Sequence, residues 1–313
     1  MVMLDQQFRL VTRSDFDGLV CAVLLRHRNL IDEITFVHPK DMQDGKIEIS
    51  SRDITTNLPY VPGAYLVFDH HASETLRNNP ESHTNYVIDS SAPSAARVVY
   101  DYYGGEKAFP GIGADLMEAV DKADAAQFDL EEVLHPTGWV LLNFLMDART
   151  GLGRFRDFRI SNYQLMMELI EACRTMSIDQ ILALDDVAER VALYREHEPM
   201  FVEQLHRCSE VHGNLVVLDL RNEDIIYAGN RFMLYALYPE ANISAHVLWG
   251  RERRNVVVAV GKSILNRSSR THVGELMLAY EGGGHNNAGT CQLDHDIAPM
   301  QLREIIRRIC ADG

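Results

Sequence analysis

Apolar strand patterns alternate with helical patterns along the first part of the chain, and this order restricts the fold more than any other feature. Strands that alternate with helices are joined by crossover connections, which produce a parallel sheet with helices on its faces. We therefore predict an α/β domain that is doubly wound around a parallel sheet. The predicted strands are FRLVT, EITFVH, KIEIS and AYLVF, and the predicted helices are GLVCAVLLRHRNL, SAPSAARVVYDYY and GADLMEAVDKADAAQF.

The rest of the chain changes its pattern twice. Residues 162–208 have helical patterns throughout, without a strand signal. Strand patterns return at LVVLDL, ISAHVLWG and NVVVAVGKS, and the helical pattern THVGELMLAYE then precedes a glycine-rich segment. These changes predict three parts: a first domain with a helical extension over residues 1–190, a connecting helix over residues 191–208 and a smaller mixed α/β domain over residues 209–313.

Composition limits the class of protein and the kind of ligand. The apolar content of 46% and the charged content of 24% are ordinary for a globular protein, and no apolar run approaches the length of a membrane span. The five cysteines are scattered, and the first residues lack a signal-peptide pattern, so we expect a cytoplasmic protein. A net charge of −15 repels long nucleic acids. A basic segment from Arg251 to Arg270 interrupts that charge and favours a short anionic ligand.

Acidic and imidazole side chains stand where two predicted strands end. SDFDG follows the first strand, and AYLVF runs directly into DHHAS. Ligands of open parallel sheets bind at the carboxyl ends of the strands. Asp15 and Asp17 can converge on one cation there, and mixed carboxylate and imidazole ligands suit Mn²⁺. The residues alone leave two other interpretations open, a helix cap for the acids and a strand cap for the DHH segment.

Two further acids are candidate ligands because of the elements that they follow or end. Asp53 follows the predicted strand KIEIS, and Asp124 lies near the end of a predicted helix in KADAAQF. Either residue alone is typical of a solvated carboxylate or a cap. Both would strengthen a metal site if they lay on the same edge of the sheet as the other candidates.

Taken together, SDFDG, FDHHAS, DAAQF and GGGHNNAG resemble the motifs of the DHH phosphoesterases that carry a C-terminal DHHA1 domain. The resemblance spans most of the chain. It implies a DHH domain and a DHHA1 domain with the active site in the cleft between them, and hydrolysis of phosphate esters with Mn²⁺ or Mg²⁺ as the cofactor. The family and its relatives include oligoribonucleases, phosphoadenosine phosphate phosphatases, cyclic-dinucleotide phosphodiesterases and exopolyphosphatases.

The resemblance also implies roles for single residues. Asp69 would orient an imidazole, and His71 would face the substrate phosphate. Asp121 competes with Asp124 but lacks the phenylalanine that follows at the family's spacing. The implied metal ligands are Asp15, Asp17, Asp53, His70 and Asp124, with Asp53 bridging two metals, and the implied substrate-binding residues are Gly283, Gly284, His285, Arg267 and Arg270.

The chain departs from the family at the first motif. A histidine ligand normally stands two or four residues before the first acid, and those positions here are Arg13 and Val11. Neither side chain binds a metal at neutral pH. The pattern therefore implies one firm metal site and a weaker second one, with the Arg13 guanidinium beside Asp15 or a substrate phosphate and acting in catalysis. His27 and His38 remain alternative ligands.

These observations predict a divalent-metal-dependent phosphoesterase that acts on short phosphate esters or phosphodiesters. The expected substrates are short oligonucleotides, phosphoadenosine phosphate or compounds of the cyclic-dinucleotide type. Two alternatives stay open, an exopolyphosphatase-like hydrolase of phosphoanhydrides and a degenerate nucleotide- or phosphate-binding module without turnover. The expected partners are a small phosphorylated substrate or a short single-stranded oligonucleotide and a second copy in a homodimer, without a membrane.

Overall fold

The computed structural model describes residues 7–71, 74, 82–155 and 157–313. Ala72 and Ser73 of the FDHHAS motif lie outside the described residues. The chain divides into two compact units. One comprises Met1–Gln127, Thr137–Ala148 and Leu152–Ala192, and the other comprises Phe128–Pro136, Arg149–Gly151 and Leu193–Gly313.

The first unit contains the parallel sheet that the alternating pattern predicted. Its five strands are β1 (Phe8–Arg13), β2 (Ile31–Val37), β3 (Asp53–Thr56), β4 (Leu66–Asp69) and β5 (Tyr86–Ile88), in the order β2-β1-β3-β4-β5. All neighbouring pairs are parallel. The strand predicted at KIEIS is wrong, because Ile47 and Ile49 pack onto a small apolar cluster without pairing in the sheet, and β3 begins only at Asp53.

Helices cover the sheet of the first unit. From Phe16 to Leu25, every residue of α1 (Phe16–His27) is buried, and α1 packs against α3 (Ala95–Tyr102), α4 (Ala114–Asp124) and α7 (Asn162–Thr175). The described helices of this unit are α1, α2 (Pro39–Gln43), α3 (Ala95–Tyr102), α4 (Ala114–Asp124), α6 (Gly138–Met146), α7 (Asn162–Thr175), α8 (Ile178–Leu182) and the start of α9 (Asp185–Cys208). The predicted helical stretch from residue 162 to residue 208 is thus confirmed as three consecutive helices.

The second unit is built on a mixed sheet. Its six strands are β6 (Ser209–His212), β7 (Leu215–Asp219), β8 (Ile243–Trp249), β9 (Asn255–Lys262), β10 (Gly283–Gly284) and β11 (Ala288–Asp294), in the order β10-β11-β9-β8-β7-β6. Only β7 and β8 run parallel among these pairs. The unit also holds α5 (Leu130–Leu134), α10 (Met233–Leu237), α11 (Val273–Leu278) and α12 (Ala298–Asp312).

Nothing in the described part of the chain could cross a membrane as a helix, because no helix there is long and apolar enough.

The end of α4 fixes the position of Asp124. Gln127 N donates to Lys122 O at 2.9 Å and Ala126 N donates to Ala123 O at 3.1 Å, which is the Schellman pattern of helix termination. This pattern requires a left-handed residue, and Ala126 occupies that position with φ +48°. An alanine Cβ makes this conformation costly, whereas glycine adopts it freely.

We therefore expect Ala126→Gly to raise the free energy of unfolding by about 1 kcal/mol, because it removes the left-handed strain at the end of α4. Urea unfolding followed by circular dichroism measures the change. Ala125→Gly is the matched control, since Ala125 has an ordinary helical φ of −73° and a glycine there should lower stability. Equal effects of the two substitutions would contradict the strain at residue 126.

Candidate metal site

Three side chains with metal-ligand chemistry converge at the carboxyl edge of the parallel sheet. Asp17, His70 and Asp124 each offer one ligand atom, and these atoms all lie within 4.8 Å of one another. Asp17 opens α1 after β1, His70 follows β4, and Asp124 ends α4. Two ligands on opposite sides of a Mg²⁺ ion lie about 4.2 Å apart, so the group has nearly the spacing that one small cation requires.

Asp17 is a carboxylate held inside the protein by a helix terminus. Its side chain accepts hydrogen bonds from Ala95 N at 3.0 Å and Ala96 N at 2.8 Å, the first two amides of α3. A helix N-terminus stabilises a negative charge. Burial and the nearby Asp124 nevertheless raise the pKa of Asp17 to about 8. A cation beside it would therefore be needed to keep Asp17 charged at neutral pH.

His70 has the arrangement of a metal-binding imidazole. Its Nδ1 lies 3.3 Å from Ala92 O, so the backbone carbonyl can fix the tautomer that leaves a lone pair on Nε2. Nε2 is buried and lies 3.0 Å from Asp124 Oδ2. Burial lowers the pKa of His70, but Asp124 and Asp17 outweigh it and raise the pKa to about 9. A buried imidazole nitrogen next to two carboxylates fits a divalent cation.

The neighbouring Asp69 and His71 form a second pair. Asp69 is fully buried, and its Oδ1 lies 2.7 Å from His71 Nδ1. Burial lowers the pKa of His71, while Asp69 raises it, and the net result is a raised pKa. The pair has the geometry that the sequence predicted, in which a buried carboxylate orients the imidazole and stabilises its charged form.

Asp15 is used differently from the prediction. It is the N-cap of α1: its Oδ1 accepts from Gly18 N at 2.9 Å and from Asn57 Nδ2 at 3.1 Å, and its Oδ2 lies 2.9 Å from Arg13 Nε. Protein donors thus surround the carboxylate, and the structure does not bring it into the ligand group. The expected pairing of Arg13 with Asp15 is present, and Asp15 caps α1, so its role as a metal ligand stays a prediction.

Asp53 lies at the wrong edge of the sheet for a metal ligand of this site. Asp53 pairs with Arg9 in the register of β1 and β3, whereas Thr56 at the carboxyl end pairs with Thr12. Three residues of strand separate the two edges by about 10 Å. Arg9 Nε lies 2.7 Å from Asp53 Oδ1; burial opposes ionisation, but this contact and Ser50 lower the pKa of Asp53. The prediction of Asp53 as a bridging ligand is therefore wrong.

Asn57 is the residue that sequence reasoning missed. It follows β3 at the carboxyl edge, with φ +56°, and donates to Asp15 while its own buried Oδ1 makes no hydrogen bond. The signal was the segment DITTN, which would have placed Asn57 at the strand end if β3 had been assigned correctly. Asp121, the alternative to Asp124 in the sequence, is structural, because Arg97 and Ser94 hold its carboxylate.

The glycine-rich segment forms the hairpin between β10 and β11. A Cβ on Gly284, which has φ +156°, would lie 2.3 Å from Ala288 O, so this position requires glycine. A Cβ on Gly283 would meet nothing within 4 Å, and Gly283, Gly284 and His285 are all exposed. The His285 carbonyl accepts from Gly274 N at the start of α11. Gly283 is therefore the glycine of this loop that packing does not explain.

The remaining predicted side chains make contacts within their own units. Arg267 and Arg270 are exposed, and Arg267 Nε donates to Ile264 O at 3.1 Å, while Arg270 N donates to Gly313 O at 3.0 Å. His38 accepts from Lys40 N as the cap of α2, and His27 contacts the Phe109 ring at the end of α1. Neither histidine belongs to the group formed by Asp17, His70 and Asp124 among the described residues.

Comparison with solved structures gives a full-length relative of high identity. The chain is 60% identical to the pGpG-specific phosphodiesterase PggH from Vibrio cholerae, with a TM-score of 0.85, and the match covers 98% of this chain and 100% of that one. The match to RecJ of Thermus thermophilus in complex with Mg²⁺ has a TM-score of 0.55 and 14% identity, and covers 99% of this chain and 51% of RecJ.

The Mn²⁺ complex of RecJ from the same organism matches with a TM-score of 0.51 and 16% identity, over 99% of this chain and 53% of RecJ. At these identities the RecJ structures show a shared fold. The chain matches no protein-family model and no curated protein.

We expect the affinity for Mn²⁺ to rise by up to about 100-fold per pH unit between about pH 6 and pH 8, because two ligands must each lose a proton before they bind a metal. Asp17 and His70, whose pKa values are raised to about 8 and about 9, both hold protons at the low end of this range. Isothermal titration calorimetry in buffers of different ionisation enthalpy measures both the affinity and the protons released.

Two variants serve as controls for the ligand set. His70→Ala should abolish firm Mn²⁺ binding, whereas Asp53→Ala should bind Mn²⁺ as the parent does, because Asp53 lies at the other edge of the sheet. A pH-independent affinity in the parent, or loss of binding in Asp53→Ala with the fold intact, would contradict the site.

Proposed function

The chain belongs to the DHH/DHHA1 phosphoesterases, and from that premise we propose that it is a divalent-metal-dependent phosphodiesterase that hydrolyses short dinucleotides such as pGpG. The observation that carries the proposal is the convergence of Asp17, His70 and Asp124 within 4.8 Å in a chain that is 60% identical to a pGpG-specific phosphodiesterase over its full length. The scale of the identity favours the substrate class of that relative over the other classes in the family.

Asp17, His70 and Asp124 would hold the cation, for which Mn²⁺ or Mg²⁺ suits the two carboxylates and one imidazole. When bound, such an ion polarises a phosphoryl oxygen and makes a bound water more acidic. The residues present fit the ion, because their three ligand atoms lie within 4.8 Å of one another and the buried Asp17 gains a counter-charge.

Under this proposal, His71 binds the phosphate of the substrate. Asp69 holds its Nδ1, so the ring is fixed in one orientation, and the raised pKa of His71 favours the imidazolium. A charged donor makes a stronger hydrogen bond to a phosphoryl oxygen than a neutral one does. Asp69 is then a positioning residue, since its carboxylate acts through the imidazole.

The Arg13 guanidinium lies beside Asp15, where a second metal would otherwise bind. Its Nε pairs with Asp15 while 39% of its side chain stays exposed, and Asn57 stands beside Asp15 at the end of β3. A planar guanidinium offers donors in a fork that matches a phosphate. We therefore assign Arg13 to the binding of a non-bridging phosphate oxygen and expect one firm metal per chain, with a second bound weakly.

The second unit would supply contacts to the rest of the substrate. Gly283 lacks a packing reason to be glycine, which supports close approach of a ligand to its backbone, and His285 is exposed in the same hairpin. Arg267 and Arg270 provide positive charge in that unit. We propose that Gly283, Gly284, His285, Arg267 and Arg270 bind the substrate.

One observation favours a second candidate, a dinucleotide-binding module without turnover. Arg13 stands where family members have a histidine. Asn57 follows the end of β3 and carries an amide rather than a carboxylate. The described residues therefore lack a complete two-metal centre. Two-metal centres stabilise both the attacking and the leaving oxygen. Hydrolysis itself separates the two candidates.

We expect the parent protein to hydrolyse pGpG to mononucleotide in Mn²⁺, and to lose the activity on chelation and regain it on adding the ion. Asp17→Asn should lower kcat/KM by more than about 100-fold, since a neutral amide holds the cation poorly. The measurement is product formation by chromatography, with pyrophosphate and polyphosphate as competing substrates. Binding of pGpG without hydrolysis would instead identify the non-catalytic module, and faster hydrolysis of polyphosphate would identify a phosphoanhydride hydrolase.

We also expect the double variant Arg13→His with Asn57→Asp to bind a second Mn²⁺ firmly, because it removes a positive charge and adds two ligands beside Asp15. Calorimetric stoichiometry should change from one ion per chain in the parent to two in the variant. Each single variant should give an intermediate affinity at the second site, since each supplies one ligand. Two firmly bound ions in the parent would show that the ion pair of Arg13 does not replace a metal.

A further inference from the structure

Tyr86 carries a buried hydroxyl that packing does not explain. The residue opens β5 and is only 7% exposed. Its ring packs with Ala64 and Val67, and the ring centre lies 4.9 Å from that of Tyr60. A phenylalanine ring would fill the same space. The packing therefore accounts for the ring of Tyr86 and leaves the hydroxyl to a polar role.

The register of the parallel sheet places Tyr86 on the same face as Asp69. Tyr86 pairs with Val67, and Asp69 stands two residues beyond Val67 on β4. Side chains alternate between the two faces along a strand, so residues two apart share a face. Strand geometry puts the Cα atoms of such diagonal neighbours about 8 Å apart, a distance that a tyrosine side chain can span. The hydroxyl of Tyr86 is thus directed along the sheet toward the carboxyl end of β4.

The Asp69 carboxylate is held through only one of its two oxygens. Oδ1 accepts from the backbone N of His71 at 3.3 Å and lies 2.7 Å from His71 Nδ1. Oδ2 is buried and has no partner with ordinary hydrogen-bond geometry among the described residues, and the same holds for the Tyr86 hydroxyl. A buried polar group without a partner costs about 1–3 kcal/mol. An acceptor and a donor with matching needs therefore stand on one face of the sheet.

The two groups also act on each other electrostatically. Burial is the largest cause of the raised pKa of Tyr86, followed by the charge of Asp69, the charge of Glu74 and a hydrogen-bonding contact with Asp69. The phenol therefore keeps its proton at neutral pH and acts as a donor toward a carboxylate. Its contact with Asp69 lies just outside ordinary hydrogen-bond geometry, and hydrogen bonds of this kind often tighten only when a ligand is bound.

We propose that Tyr86 is a positioning residue, whose hydroxyl donates to Asp69 Oδ2 when the cation and the substrate phosphate are bound and so fixes the orientation of His71. With both oxygens held, the Asp69 carboxylate cannot rotate, and the imidazole that it holds keeps one direction. The ring then needs no reorganisation when the phosphate arrives. The inference rests on the proposed function, because it adds a third residue to the pair that binds the phosphate.

The variant Tyr86→Phe removes the hydroxyl and keeps the ring. We expect it to lower kcat/KM for pGpG by about tenfold, the size usual for groups that orient a ligand from behind. Its affinity for Mn²⁺ should stay that of the parent, because the ligand group is untouched. Tyr60→Phe is the matched control: its hydroxyl lies 3.0 Å from His83 Nδ1, its ring contacts that of Tyr86, and its loss should leave kcat/KM unchanged.

A double-mutant cycle separates positioning from a general effect on stability. If Tyr86 acts through Asp69, then Tyr86→Phe should lower kcat/KM by less than about twofold in a chain that already carries Asp69→Ala. Three results would overturn the proposal: a full loss that persists with Asp69→Ala, an equal loss in Tyr60→Phe, or parental kcat/KM in Tyr86→Phe.

A distance measured on the parent needs neither turnover nor a variant that folds. In a crystal grown with Mn²⁺ and inorganic phosphate, the Tyr86 hydroxyl should lie about 2.7 Å from Asp69 Oδ2, as in a hydrogen bond to a charged acceptor. A separation above about 3.5 Å would contradict the proposal. A parent that hydrolyses no pGpG would refute the proposed function, whereas this distance tests the role of Tyr86 in either case.

Discussion

The rest of the site depends on how the buried carboxylate of Asp17 is stabilised. It lies at the start of α1, accepts the first two amides of α3 and stands beside His70 and Asp124. A buried charge is costly unless it is paired and hydrogen-bonded. Two helix amides offset part of that cost, and the raised pKa of Asp17 shows that they do not offset all of it. A cation at this position completes the charge balance that the fold leaves open.

Elsewhere at the carboxyl edge, the negative charge of Asp15 is already balanced without a metal ion. Asp15 is held by Arg13, Asn57 and the amide of Gly18. Gly18 is required there, since a Cβ would lie 2.0 Å from Arg13 O, so the loop between β1 and α1 packs too tightly to shift. The same loop therefore separates a carboxylate of the ligand group from one that Arg13 already pairs. This difference explains why we assign one firm metal to the chain and give Arg13 a place at the substrate phosphate.

The sequence predicted most of what positions the site, and its errors have physical causes. Asp17, His70 and Asp124 follow strong apolar elements, so their positions could be inferred from pattern and motif. Asp53 was misplaced because Ile47 and Ile49 alternate like a strand while they pack as a loop. For the same reason, Asn57 was not recognised as the residue that follows a strand end. The place of Tyr86 beside Asp69 could not be predicted, because it depends on the pairing of β4 with β5, a strand of only three residues.

The most direct test of one cation held by a desolvated carboxylate is anomalous diffraction from a crystal of the protein grown with Mn²⁺. The account predicts a single strong anomalous peak within bonding distance of Asp17, His70 and Asp124, with Arg13 still paired to Asp15. A second peak of equal height between Asp15 and Asn57 would contradict the account, and so would a peak coordinated by Asp53.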